Sequence, residues 1–415
     1  MAKYIINGGS ALNGQFFVQG AKNAVLPLFA GALLTEEEVV IHNCPDLLDV
    51  DNMARILRSL GADVERHGNS VKIGGTLSSH EIPYGLAKEL RSSIFLLGSV
   101  LARLKKAKVA YPGGCDIGLR PINIHLDAFR ELGVKIEEYY GYIYCDATAM
   151  QGAPINFDYP SVGATENVML LAATARGLTT ISNAAREPEI EGLQDYLNLM
   201  GAKITGAGTP FITIEGVDSL HGAEYTTIPD RIVAGTYLMA GAICGGEIEV
   251  LGAKPSHLHA LLSKLSKSGC KIKVNNDNIY LRSDKRIMPF DRVETQPYPG
   301  FPTDLQAPLC ALASVANGNS MIIENIFETR FKHIPELIKM GAQIIVSGSV
   351  ACIRGVEQLR GAEITAMDLR GGAALVLAGL NAKGTTIVND VHHVERGYQN
   401  FEATLCSLGA DIVKV

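Results

Sequence analysis

Three basic residues stand where helices are expected to begin: Lys22 with Asn23 beside it, Arg91 and Arg370. A helix start carries the positive end of the backbone dipole, so a cation there is disfavoured by roughly 0.3–1 kcal/mol. Three such residues in equivalent places imply something negative nearby, either an anionic ligand or a compensating acid. Asp230-Arg231 and Asp304 occupy the same kind of position elsewhere in the chain. Asp is also a good N-cap, so ordinary capping is an equal reading of Asp304.

Two further segments have the composition of sites. PGGCDIGLRP (112–121) is a glycine-rich loop between a strand, AKVAY, and a helix, with Cys115 at its tip. A reactive thiol needs an accessible, electropositive setting, and Arg120 is placed to supply it; a purely structural cysteine is the alternative. SVGATEN (161–167) leads small residues into a helix. Its backbone N–H groups and the hydroxyls of Ser161 and Thr165 could face an anion, although the segment lacks the GK[ST] of a Walker A loop and could be a routine helix start. Arg186, Arg330 and Arg396 fall in loops that could equally be exposed and charged. His392 and His393 have no HxH or HExxH spacing, so they are not read as metal ligands.

These residues are carried by a repeat. A helix ending in glycine, followed by a short alternating strand, recurs six times, at Gly61, Gly133, Gly201, Gly269, Gly341 and Gly409. Successive separations are 72, 68, 68, 72 and 68 residues, so the order 72, 68 occurs in both halves. Glycine suits the site because a helix commonly ends in a left-handed residue. Each unit reads as a β-branched strand (TTISNA at 179–184, MIIENI at 321–326), a helix, the glycine, two strands, and a closing helix that is apolar nearly all round. Such helices should be buried. The sixth unit stops at DIVKV, and KYIINGGSALNG resembles the second-strand segments FITIEGVDSLHG and CIRGVEQLRG. The N-terminus is therefore expected to complete the last unit. One domain is expected at 21–228 and the other at 1–20 plus 229–415, with two chain crossings between them.

Composition sets the limits. With 47% hydrophobic and 19% charged residues, the 415-residue chain can build more than one core and is not disordered. A net charge of −6 without a basic run argues against nucleic-acid binding. The start lacks a signal-peptide pattern and no apolar run is long enough to span a bilayer. The expectation is a soluble, cytoplasmic α/β protein with no membrane partner, whose eight cysteines are mostly buried free thiols.

Taken together, GAKNAVLP, PGGCDIGLRP, SVGAT, NAAREPEI, PDRI, PGFPTD, FETRF, DLRGGAALV and VERGY closely resemble the UDP-N-acetylglucosamine enolpyruvyl transferase (1-carboxyvinyltransferase) family over essentially the whole chain. The resemblance implies a two-domain inside-out α/β barrel of six units, three per domain. It implies a reaction without metal or bound cofactor. The 3-hydroxyl of UDP-N-acetylglucosamine adds to C2 of phosphoenolpyruvate, C3 is protonated and phosphate leaves, the first committed step of peptidoglycan synthesis. It assigns phosphoenolpyruvate to Lys22, Arg91, Cys115, Arg120, Arg370 and Arg396. Cys115 is associated with proton delivery to C3, with a covalent phosphoenolpyruvate adduct and with alkylation by fosfomycin. Asp304 becomes the candidate base at the sugar 3-hydroxyl. The nucleotide sugar falls to Asn23, Arg91, Arg120, Pro121, Ile122, Asn123, Ile124, His125, Ser161, Val162, Gly163, Asp304 and the backbone of Ile326. Asn123, Thr329 and Asp116 depart from the usual pattern, without removing a catalytic group. A sister transferase with another acceptor and a non-catalytic paralogue are the competing readings.

Overall fold

All six repeat glycines adopt the backbone the repeat requires, with φ between +83° and +105°. Each stands just past the helix it closes: Leu48–Ser59, Asn123–Glu131, Pro188–Leu199, His259–Lys267, Ile334–Lys339 and Phe401–Ser407. A Cβ in this left-handed region is strained, which is why the spacing of one residue type marks the whole repeat. The computed structural model describes residues 2–89, 91–111, 122–284 and 286–415, without the side chains of 88, 89, 91 and 92.

The described residues fall into two compact units. One runs up to Gln19 and from Pro229 to Val415; the other lies between Gly20 and Ile228. Each holds three sheets and its own apolar core. None of the six sheets closes on itself among the described residues. Within a unit the three closing helices pack against one another: Lys22–Ala32, Phe95–Leu104 and Val162–Ala172 in one, Arg231–Cys244, Gln306–Ala313 and Leu369–Asn381 in the other. The last is buried without a break from Arg370 to Leu380. Burying one large aliphatic side chain contributes about 1.5–3 kcal/mol, so all-round apolar helices belong inside and the sheets outside.

The N-terminal strand Tyr4–Asn7 lies between Thr385–Asn389 and Asp411–Lys414, antiparallel to both. Ile5 pairs with Ile387 on one side and Val413 on the other. In the preceding unit Val350–Arg354 takes this same place, between Asn319–Ile323 and Gln343–Ser347. Tyr4 and Ile6 point into the core and are fully buried.

Several boundaries differ from the sequence expectation. The strands expected at 179–184 and 321–326 are Leu178–Ser182 and Asn319–Ile323. The first is ended by Asn183, which turns into the left-handed region at φ +56°. Two closing helices open with a tight turn, Arg91–Ile94 and Thr303–Leu305, before the α-helix starts. For the second, Pro308 lacks the N–H that would bond the Asp304 carbonyl four residues back, so the first turn winds as 3-10 instead.

Candidate active site

In the unit containing the C-terminal half, Asp368 caps the helix Leu369–Asn381 by accepting from the backbone N–H groups of Arg370 (3.0 Å) and Gly371 (2.8 Å). The cap fixes Arg370 in the first turn, fully buried. Its guanidinium donates to Asp304 Oδ2 from Nε (3.3 Å) and Nη2 (3.1 Å). Arg330, also buried, donates from Nη2 to Asp304 Oδ1 at 2.7 Å. One partly exposed carboxylate is thus gripped by two buried guanidinium groups.

The surroundings keep both cations in place. The Arg370 guanidinium lies 5.3 Å from the centre of the Tyr398 ring, and the Tyr398 hydroxyl meets Thr236 Oγ1 at 2.9 Å. Burial opposes the charge on Arg370. Tyr398, Asp304 and Asp230 together more than offset it and hold its pKa above the ordinary value. Arg330 stacks over Phe327. Beside it the imidazole of His333 is pushed down to about 4, by burial first, so it adds no third positive charge at neutral pH. Arg330 Nε and Nη1 and Arg370 Nη1 are buried and have no protein hydrogen-bond acceptor. Two cations facing one acid, with three such donors, form a setting suited to a further small anion.

Asp304 does not cap its helix: its carboxylate faces the two arginines, which corrects the capping alternative. Asp230 is a cap, accepting from Ile232 N and Val233 N at 2.9 and 3.0 Å. Arg396 is half-buried at the end of the short helix His392–Glu395. Gln19 ties down the residues that follow it, donating to the Gly397 carbonyl at 3.3 Å and accepting from Gln399 N at 2.8 Å.

In the other unit Lys22 is the first residue of its helix, and its Nζ is 3.0 Å from Asp49 Oδ2. Asp49, like Asp304 for Arg370, is the compensating acid that a cation at a helix start called for. Asn23 is exposed beside it. Ser161 caps the helix Val162–Ala172 through its Oγ, which accepts from Ala164 N at 3.3 Å. Thr165 is fully buried, and its hydroxyl is already committed within the protein. Its hydroxyl donates to the Ser161 carbonyl (2.8 Å) and accepts from Ala185 N (3.1 Å).

His125 and Gly163 are brought together. A Cβ on Gly163 would come within 3.0 Å of the Phe95 ring and 3.2 Å of the His125 ring. Behind His125 stands Asn167, whose orientation is set by Gly98 N donating to its Oδ1 at 2.9 Å. Its Nδ2 then donates to the Ile94 carbonyl (2.8 Å) and to His125 Nδ1 (3.0 Å). His125 Nδ1 must accept, so the neutral ring carries its proton on Nε2, the nitrogen beside Gly163.

Ile122 is buried and Asn123 exposed at the start of the helix Asn123–Glu131, with Ile124 half-buried. Cys115, Arg120 and Pro121 lie outside the described residues, as does the side chain of Arg91. Of the seven described cysteines, burial pushes Cys44, Cys145 and Cys244 up to about 12 and Cys310 higher, which leaves them inert. Cys352 and Cys406 are exposed, the exceptions among the described cysteines to the expectation that most are buried. Read from sequence, Arg330 falls in a loop with no assigned role, and Asp49, Asn167, Glu324 and Tyr398 carry none either. The side chains they meet, Asp304, Lys22, His125, Thr303 and Thr236 respectively, lie at least 21 residues away, and no local pattern signals those pairings.

Solved enolpyruvyl transferases share this fold. The transferase NikO from Streptomyces tendae superposes with a TM-score of 0.91 at 26% identity, covering 100% of this chain and 99% of that one. EPSP synthase from Acinetobacter baumannii shares the fold at a TM-score of 0.78 and 17% identity, with full coverage of both chains. The family profile of EPSP synthase (3-phosphoshikimate 1-carboxyvinyltransferase) matches residues 6–405. The chain belongs to this family of enolpyruvyl transferases. Within it, the sequence is 53% identical over 416 aligned positions, covering both chains fully, to UDP-N-acetylglucosamine 1-carboxyvinyltransferase 2 of Caldanaerobacter subterraneus subsp. tengcongensis. It is 48% identical, over 100% of this chain and 99% of the relative, to UDP-N-acetylglucosamine 1-carboxyvinyltransferase of Trichlorobacter lovleyi.

Proposed function

We propose that this chain transfers the enolpyruvyl group of phosphoenolpyruvate to the 3-hydroxyl of UDP-N-acetylglucosamine, releasing phosphate, in the cytoplasm and in the service of peptidoglycan synthesis. The observation that carries this reading is full-length identity of 53% and 48% to relatives bearing that activity in their names. Asp304 and its two arginines give the reading its chemistry.

Phosphoenolpyruvate carries a carboxylate and a phosphate. The Arg330 and Arg370 guanidinium groups fit the carboxylate, because each has an uncommitted buried N–H and a planar face. Arg330 joins the expected set on this ground. The phosphate falls to Lys22, Arg91, Arg120 and Arg396. Asp304, held ionised between two cations, accepts the proton of the sugar 3-hydroxyl as its oxygen bonds to C2. Cys115, acting as a thiol, delivers the proton to C3. The tetrahedral adduct then breaks its C2–O bond to phosphate and loses a proton from C3, restoring the double bond. The guanidinium groups stabilise charge throughout. On the sugar side, Ser161 to Gly163 offer a helix start beside His125.

The competing acceptor is shikimate 3-phosphate. Purified chain with phosphoenolpyruvate is expected to release phosphate when UDP-N-acetylglucosamine is added and not when shikimate 3-phosphate is added. The reverse dependence would assign the sister activity, and no release with either would leave a non-catalytic paralogue.

A further inference from the structure

Glu324 follows the strand Asn319–Ile323 and is almost completely buried. Its Oε1 accepts from Thr295 Oγ1 (2.8 Å), Ile326 N (2.8 Å) and Phe327 N (3.1 Å). Its Oε2 accepts from Thr303 Oγ1 at 2.9 Å. The Thr295 hydroxyl oxygen in turn accepts from Asn325 N at 2.9 Å. One carboxylate therefore collects four donors from three segments of the chain.

The ends of this network matter. Thr303 directly precedes Asp304 in the same tight turn. Ile326 lies in the segment that leads through Phe327 to Arg330. A buried acid that merely closed a turn would need only the two backbone N–H groups. The second oxygen instead reaches across to the turn that carries Asp304.

We propose that Glu324 is a positioning residue for the transfer reaction, setting the Asp304 carboxylate and the Ile326 backbone at a fixed separation. It touches no substrate. Through Thr303 it orients the acid that meets the acceptor hydroxyl, and through Ile326 it orients backbone that meets the acceptor sugar. The proposal rests on the reading of Asp304 as the group at that hydroxyl.

Four variants and one control test it, by steady-state kinetics with thermal melting of each protein. Glu324→Gln can keep the network, because its amide oxygen accepts the same three donors and its NH2 donates to the Thr303 hydroxyl oxygen. It should retain most of the activity. Glu324→Ala should lose about a hundredfold in kcat. Thr303→Val cuts only the arm to Asp304. It should lower kcat by about tenfold with KM for phosphoenolpyruvate unchanged and the melting temperature close to wild type, and Thr303→Ser should restore kcat. Thr303→Val and Thr303→Ser decide the matter even if Glu324→Ala does not fold. The control is Asp304→Asn. If it leaves kcat intact, the reading of Asp304 fails. If it abolishes turnover while folded Thr303→Val keeps kcat and KM for UDP-N-acetylglucosamine within about twofold of wild type, the positioning role is overturned and that reading stands.

Discussion

Asp304 is partly exposed, yet two buried arginines share it. Removing it would leave two guanidinium groups facing each other. That situation destabilises a fully buried site by about 3–5 kcal/mol, and less here because water reaches the carboxylate. Asp304→Ala is therefore expected to lower the melting temperature as well as to cut kcat by about a hundredfold or more, measured on protein shown to be folded by circular dichroism. Wild-type turnover in that variant would remove Asp304 from the chemistry. Arg330→Lys replaces a planar fork by a point charge, and it should raise KM for phosphoenolpyruvate by about tenfold or more. An unchanged KM would place Arg330 outside the substrate's reach. The thiols are a separate case. At neutral pH an alkylating reagent should label Cys352 and Cys406 and spare Cys44, Cys145, Cys244 and Cys310, as peptide mapping would report. Labelling by fosfomycin is expected at Cys115 alone.

The helix Val162–Ala172 carries a strain of its own. Glu166 is fully buried in it, and neither carboxylate oxygen has a hydrogen-bond partner. Burial first, then the charges of Glu189 and Glu187, push its pKa well above the usual value of 4.5. The folded state therefore favours the protonated form. Its stability is greatest below the unfolded carboxyl value and falls as pH rises toward the raised one, because the folded protein then holds a proton that the unfolded chain has released. Glu166→Gln supplies a neutral side chain of the same shape. Its melting temperature relative to wild type should increase between about pH 5 and about pH 8, and an offset that is the same at both would contradict this. Elements differ in how well the sequence announces them. The six helix ends were legible because a left-handed residue is a local demand that glycine meets best. The place of Tyr4–Asn7 was legible because its segment resembles the strands that fill the same slot in other units. The networks of Asn167, Glu324 and Arg330 were not. Asn167 meets Gly98 across 69 residues, and Arg370 meets Asp304 across 66, so only the folded chain brings them together.

At the scale of the whole molecule, the division near Gln19 and Pro229 gives each compact unit its own core. We infer that these are folding domains, as expected for 21–228 and for 1–20 with 229–415. Residues 20–228 expressed alone should fold with a cooperative melt. Residues 229–415 alone should not, because the last sheet would lack its inner strand. The end of Asp411–Lys414 lies beside the start of Tyr4–Asn7, with Lys3 N bonded to the Val415 carbonyl at 2.9 Å. A permuted chain that joins 415 to 2–19 through a short linker should therefore restore folding. A cooperative melt from 229–415 without that strand would count against the account.

The transferred group and its acceptor together distinguish the proposed activity from its alternatives. The most direct measurement incubates the purified chain with phosphoenolpyruvate and UDP-N-acetylglucosamine and examines the product by NMR, with phosphate measured in parallel. The expected result is a sugar nucleotide bearing two vinylic protons on an ether at the sugar 3-oxygen, formed in equal amount to the phosphate and absent in the Asp304→Ala reaction. Unaltered UDP-N-acetylglucosamine, or an enolpyruvyl ether formed only when shikimate 3-phosphate is supplied, would contradict it.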